Sequence, residues 1–265
     1  MRHTVLGCPV DDASVEEMLK CVERSLGSSQ QQWYTSINIA NWYAYTHHSR
    51  VAGMIDQASL ISADGWPICL ASRIFYGIKI PRIPAMTFFN AVCRAFVSLP
   101  LRVYVLGGRP GVAELAGIRL QENYPGLQVV GCHHGYLMNS LEQEHVLSEI
   151  QGAAPDLLIL GMGTPYEQSW LTQYFSRCAT PFALGIGGGL DIIAGFNQRA
   201  PLWIQRCGLE WFYRMIQEPR RLGPRYLTTS LAFVIACAQV IIRLAAHHKK
   251  TRDREEQPVS TKKGA

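Results

Sequence analysis

Three short apolar runs, each stopping abruptly at glycine, restrict the fold of this chain more than any other feature. Leu101–Leu106 (LRVYVL) enters Gly107-Gly108, Asp156–Leu160 (DLLIL) enters Gly161-Met162-Gly163, and the run from Phe182 to Ile186 enters Gly187-Gly188-Gly189. Runs this short and this apolar read as buried strands. Helical stretches lie between them, through Leu120, over Leu141–Ile150 and from Glu167 onward. The upstream chain repeats the pattern: a helix from Asp12–Ser14 to Val22, a strand in WYTSINIA, a helix over Asn41–Ile55, a strand at Leu60-Ile61 and a helix over Thr87–Phe96. Leu127–Val130 adds another strand. Strands alternating with helices predict an α/β fold with a mostly parallel sheet covered on both faces.

Composition allows one large core. Of 265 residues, 48% are apolar and 17% charged, so little of the chain should stay unfolded. A net charge of +5 is too small to imply nucleic acid, and none is expected as a partner. The eight cysteines show no C-x-x-C and no zinc spacing, and read as buried thiols in a reducing compartment. The start, MRHTVLGCPVDD, lacks the apolar core and cleavage site of a secretory leader.

Polar residues collect where the strands end. Thr35, Ser36 and Asn38 form a lip after one strand, and Asp64-Gly65 follows another. An acid in that place can meet a ligand in an open α/β sheet. From the residues alone, Asp64-Gly65 reads first as a turn. Arg82 stands in a loop between Pro81 and Pro84. Gly107–Gly111 has the strand–turn–helix form that seats phosphate on a helix N-terminus, without the full dinucleotide fingerprint. His133-His134 reads as a pair of loop histidines with no third metal ligand.

The densest stretch is GIGGGLDIIAGFNQRAPLWIQRCGLEWFYRMIQEPRRLGPR, from Gly185 to Arg225. Gly187 and Gly188 let backbone N–H groups approach a ligand, Asp191 can accept hydrogen bonds, and Arg214, Arg221 and Arg225 are planar donors suited to phosphate. A glycine turn followed by an amphipathic helix with a solvated basic face explains the same residues. Beyond it, LTTSLAFVIACAQVII carries no charge and precedes a basic cluster at Lys249, Lys250, Arg252 and Arg254. A membrane span, an interfacial helix and a helix packed in the core all stay open for it.

Taken together, Thr35-x-x-Asn38, Ala63-Asp64-Gly65, YVLGGRPGVAE, YPGLQVVG leading to Gly135-Tyr136, GMGTPYEQSW, GGGLDIIAG, RAPLW and GLEWFYRMIQEPRR resemble the WecG/TagA/CpsF family of bacterial glycosyltransferases, glycosyltransferase family 26. The motifs fall in family order from about residue 30 to 226. The resemblance implies a Rossmann-like core over 1–195, a C-terminal helical, membrane-associating appendage over 196–248 and a basic, disordered tail over 249–265. It also implies inverting, metal-independent transfer from a UDP-sugar to a polyprenyl-diphosphate-linked saccharide, with no cofactor, at the cytoplasmic face of the inner membrane. Donors of the N-acetylmannosamine, N-acetylmannosaminuronate or glucose type fit, and a homo-oligomer stays open.

Carried over by residue, Asp64 matches the general base and Thr35, Asn38 and Arg82 match polar groups around it. Tyr136 matches an aromatic that stacks on uracil, Asp191 a nucleotide contact, and Arg214, Arg221 and Arg225 arginines that neutralise the leaving diphosphate. The chain departs from the family in two places. P-K-Q-E-x-W is Pro165-Tyr166-Glu167-Gln168-Ser169-Trp170, so the pocket Gln is supplied by Gln168 or replaced by Glu167, and the G-x-D after the pocket Arg is Ala85-Met86-Thr87. Two other functions compete with transfer: a catalytically weak nucleotide-binding scaffold for polysaccharide assembly, and an NAD-linked oxidoreductase suggested only by Leu106-Gly107-Gly108.

Overall fold

Residues 1–28 and 30–255 are described by a computed structural model, with the side chains of Arg206 and of 247–255 left aside. In chain order the elements are β1 (Arg2–Val5), β2 (Cys8–Asp11), α1 (Val15–Leu26), β3 (Gln32–Ile37), α2 (Ile39–His47), α3 (Ser49–Ile55) and β4 (Leu60–Ala63). Then come α4 (Trp66–Tyr76), α5 (Ala85–Ala95), β5 (Leu101–Gly107), α6 (Val112–Asn123), β6 (Leu127–His133), α7 (Ser140–Ala153) and β7 (Leu157–Gly161). The last are α8 (Tyr166–Tyr174), β8 (Phe182–Gly185), α9 (Gly189–Ile193), α10 (Leu202–Arg206), α11 (Glu210–Gln217) and α12 (Pro219–Glu255).

Six strands form one sheet in the order β4-β3-β8-β7-β5-β6, and every neighbouring pair is parallel. The apolar runs lie at its centre: Leu157–Leu160 and Phe182–Leu184 are buried throughout, as strands covered on both faces must be. One core fills the side of α1, α5, α6 and α9, with Phe88, Phe89 and Leu120 in it. The other holds Trp42, Ile68, Leu147 and Trp170. Local chemistry fixes several ends. Ser14 and Glu17 make a reciprocal capping box at α1, and the Asn38 side chain accepts from the Asn41 N–H to cap α2.

Because all strands run the same way, their carboxyl ends share one edge. β5 connects outward to β6 while β7 connects to β8 on the opposite side, so the sheet's topological switch lies between β5 and β7. The turns there come into backbone contact. A side chain at position 107 would meet the Gly161 backbone at 2.6 Å, and Gly107 has φ 147°.

Several local readings of the sequence are refined. The β1–β2 hairpin and α4 have no counterpart in it, and the helix expected over Asn41–Ile55 is two, parted at His48. The uncharged run from Leu227 is part of a longer helix, α12, which starts at Pro219 and has Pro224 inside it. Of the cysteines, Cys207 is exposed and Cys132 and Cys237 are half-buried; the other five are buried and all eight are free. Of the tail expected over 249–265, residues up to Glu255 continue α12, and 256–265 lie outside the described residues.

The helix α12 has two faces. Phe233, 7% exposed, sets its ring edge-on to Trp42 of α2 at 5.0 Å, with Ala236 and Val240 along the same face. On the other face Leu227, Leu231, Val234, Ile241 and Ile242 are exposed. α12 is the one helix among the described residues long and apolar enough to cross a membrane. Only 11% of its apolar stretch is buried, so beyond the face that carries Phe233 an apolar surface is left to be covered. Phe233→Ala should cost about 3–5 kcal/mol, the usual range for an emptied Phe site. Denaturant melts of the two proteins check this, and an unchanged midpoint would mean that α12 is not docked on α2.

Candidate functional site

At the carboxyl ends of β3 and β4 the chain assembles a buried polar floor. Thr35 and Gln168 are 2% and 1% exposed, and the Gln168 Nε2 donates to the Thr35 Oγ1 at 3.1 Å. The Gln168 Oε1 is buried without a hydrogen-bond partner. Asp64 follows β4 directly, its N–H donating to the Ile37 carbonyl at 2.9 Å. The residue as a whole is half-buried. Its carboxylate lies deeper: burial first and the negative charge of Glu210 second raise its pKa to about 6, against Arg82, Arg214 and Arg199. A carboxylate poised there can take up a proton near neutrality. Asn38 borders this floor, with its Cα close to Gly65, and its side-chain oxygen is committed to capping α2.

Arg82 acts as a strut. Its Nε donates to the Asp64 carbonyl at 2.9 Å, Nη1 to the Gln205 carbonyl at 3.1 Å and Nη2 to Glu210 at 3.3 Å. It therefore fixes the backbone of Asp64 and ties it to α11, and its charge is largely compensated within the protein.

The glycine turn forms the second half. Glu167, 3% exposed, is enclosed beneath it, and the Gly187 N–H donates to the Glu167 Oε2 at 3.1 Å. Burial raises the Glu167 pKa to about 7, opposed by the N–H groups of Gly187, Met162 and Gly163. The Gly189 N–H is also used, by the Ile186 carbonyl at 2.9 Å. Two of the three glycine N–H groups thus serve the turn itself. Gly188 has a different function. The Arg214 Nη2 reaches its carbonyl at 3.4 Å, and a side chain at 188 would lie 2.5 Å from that nitrogen.

The appendage arginines converge on this turn. Asp191 is half-buried, and its pKa is raised by burial and by Glu218 while Arg109, Arg221 and Arg214 oppose the rise. Arg214 is thus felt at both Asp64 and Asp191, joining the two halves of the site. Arg221 donates from Nε to Glu218. Arg225 stays accessible as a residue, yet packing around its guanidinium, more than the like charges of Arg221 and Arg214, lowers its pKa. Tyr136 is 54% exposed, in a loop tied to the β5 turn by the Gly135 N–H on the Gly108 carbonyl at 2.9 Å.

Sequence reasoning missed three charged residues here. Glu210 lies 3.3 Å from Arg82 and 3.8 Å from Arg199, and Arg109 is the first counter-charge to Asp191. All three stand in the quoted motifs. The departure at Ala85-Met86-Thr87 gains a physical meaning: the Thr87 Oγ1 accepts from the Arg199 Nη2 at 3.1 Å, so a neutral hydroxyl faces that arginine. Arg199 depends for its counter-charge on Glu210, which it shares with Arg82. The histidine pair is also corrected. The rings of His133 and His134 lie 4.4 Å apart, and a third candidate ligand is at hand, since the Glu142 Oε1 comes within 3.7 Å of the His134 Nε2. Donor atoms of the three lie within 4.8 Å of one another, beside the Tyr136 loop.

The chain matches the model of the Glycosyl transferase WecG/TagA/CpsF family over residues 3–247. It is 30% identical over 223 residues to an N-acetylglucosaminyldiphosphoundecaprenol N-acetyl-beta-D-mannosaminyltransferase of Staphylococcus aureus (strain MW2), covering 83% of this chain and 86% of that protein. The protein of the same description from strain MRSA252 gives the same identity over the same shares.

Proposed function

Because this chain belongs to the WecG/TagA/CpsF family and is a glycosyltransferase, we propose that it moves an N-acetylmannosamine-type sugar from a UDP donor to a polyprenyl-diphosphate-linked saccharide, with inversion and without a metal. The relatives' names, which carry an N-acetylmannosaminyl group and an undecaprenol-linked N-acetylglucosamine, support the sugar and the acceptor. The observation that carries the reading is Arg214, an appendage cation that sits on the Gly188 carbonyl and acts on both Asp64 and Asp191. In this reading it serves both the base, Asp64, and the departing diphosphate.

In this mechanism an acceptor hydroxyl attacks the anomeric carbon and gives its proton to Asp64. The bond from that carbon to the diphosphate oxygen breaks, and UDP departs with both electrons. Arg214, Arg221 and Arg225 offset the charge that develops on the diphosphate, the work a bound cation would otherwise do. Thr35 and Gln168 orient the sugar, whose hydroxyl can occupy the unpartnered half of the Gln168 amide. Soaking the enzyme with EDTA should leave turnover unchanged; loss of activity restored by Mg²⁺ or Mn²⁺ would overturn the arginine assignment.

Tyr136 stacks on uracil in this reading, and its exposed ring supports the role. Tyr136→Ala should weaken UDP binding by about 1–3 kcal/mol, the range for base–aromatic stacking, while Tyr136→Phe changes it little. Calorimetric titration with UDP and with NAD checks both points. UDP binding without NAD binding is the expected result, and equal affinity of wild type and Tyr136→Ala for UDP would contradict the stacking.

A further inference from the structure

Directly after Asp64-Gly65 the chain enters α4, and α4 carries an apolar stripe that its own core does not use. Trp66, Leu70 and Ile74, at i, i+4 and i+8 on one face, are 48%, 55% and 62% exposed. With Phe75 they border a cavity of about 280 Å³ closed on its far side by Phe233 and Cys237 of α12. No charged side chain lines it. α4 spans 11 residues, so the groove follows about 16 Å of helix. Its Trp66 end lies next to the polar site. Trp66 is the first residue of α4, two past Asp64, and the Arg82 guanidinium sits 5.9 Å from the centre of its ring.

We propose that this groove holds the first isoprene units of the lipid-linked acceptor; the assignment rests on the function proposed above. An acceptor whose sugar hydroxyl is at Asp64 must pass its hydrocarbon chain out of a polar, charged pocket. The face of Trp66, two residues past Asp64, opens an uncharged path that leads along α4 to Phe233 and Cys237 of α12. Trp66 suits the boundary, since its ring can hold Arg82 on one side and hydrocarbon on another. Lipid reaching the site along this path leaves the rest of the chain in the layer that α12 contacts.

The test compares two acceptors in detergent micelles, N-acetylglucosaminyl diphosphate bearing either an undecaprenyl chain or a short water-soluble alkyl chain. Leu70→Gln and Ile74→Gln replace exposed residues and should leave the fold intact. For the long-chain acceptor the KM should rise about tenfold with kcat kept; for the short-chain acceptor both constants should match wild type. Equal losses on both acceptors, or none on either, would overturn the proposal. Pelleting with anionic vesicles free of isoprenoid should be unchanged in the variants. If pelleting falls while long-chain transfer is kept, the groove binds bilayer instead, and the proposal fails. A photoreactive isoprenyl diphosphate gives a readout independent of turnover. Crosslinks to 66–76 support the groove even if no sugar is transferred, and crosslinks confined to other segments contradict it.

Discussion

Asp64→Asn is expected to lower turnover by about 10²–10⁴-fold, the usual span for losing a general base, with UDP affinity unchanged. The amide keeps the shape and cannot accept the proton of the attacking hydroxyl. The pH profile gives a second readout. Burial and Glu210 raise the Asp64 pKa to about 6. The base works only when ionised, so wild-type kcat/KM should fall as the pH drops through about 6. Asp64→Asn should lose this acid limb. Glu167, with its pKa raised to about 7, could add a limb of its own, and Glu167→Gln separates the two. Glu167 is enclosed under the glycine turn with an oxygen on the Gly187 N–H, which makes it a positioning residue for that turn. An Asp64→Asn enzyme that turns over normally would place the base elsewhere.

Arg214→Ala should cost about 10²–10³-fold in kcat, the range for removing one preorganised donor that stabilises developing charge. Arg214 is fixed by the Gly188 carbonyl, and its charge reaches both carboxylates of the site. Arg214→Lys should recover little, because an ammonium cannot hold the carbonyl and face the diphosphate with a planar fork. Arg221→Ala should cost less, since Arg221 is already held by Glu218. Steady-state kinetics at saturating donor distinguish these variants. A KM effect with unchanged kcat for Arg214→Ala would mean that it binds the ground state only.

The central sheet was legible because β5, β7 and β8 are short apolar runs, broken only by Arg102 in β5, that end in glycine, a pattern a buried parallel strand produces directly. Thr35 showed as part of a polar lip after β3, whereas Asp64-Gly65 by itself reads as a turn and takes its role as base only from the family resemblance. α4 was not. It buries Ile68, Ala71 and Ser72 on one face and exposes Trp66, Leu70 and Ile74 on the other, so apolar residues circle the helix and leave no amphipathic period. The β1–β2 hairpin hid for another reason. Its turn is Leu6-Gly7 with φ of 47° and 80°, and leucine is rarely found in that conformation. It is held there by tertiary contacts, the Tyr76 hydroxyl on its N–H and the Trp42 Nε1 on its carbonyl. Glu210 is 128 residues from the arginine it pairs with, a separation for which the sequence has no periodic signal.

The proposed function depends on acceptor-dependent release of UDP, and one assay tests it directly. The full chain is incubated in detergent micelles with a panel of UDP-sugars, with and without undecaprenyl-diphosphate-linked N-acetylglucosamine, and both UDP and lipid-linked product are measured. UDP should appear only with acceptor, one for each disaccharide formed, fastest with the N-acetylmannosamine donor, and the new linkage should be inverted at the anomeric carbon. If the chain binds UDP but releases none from any UDP-sugar when acceptor is present, it is a nucleotide-binding scaffold and the transfer mechanism is wrong.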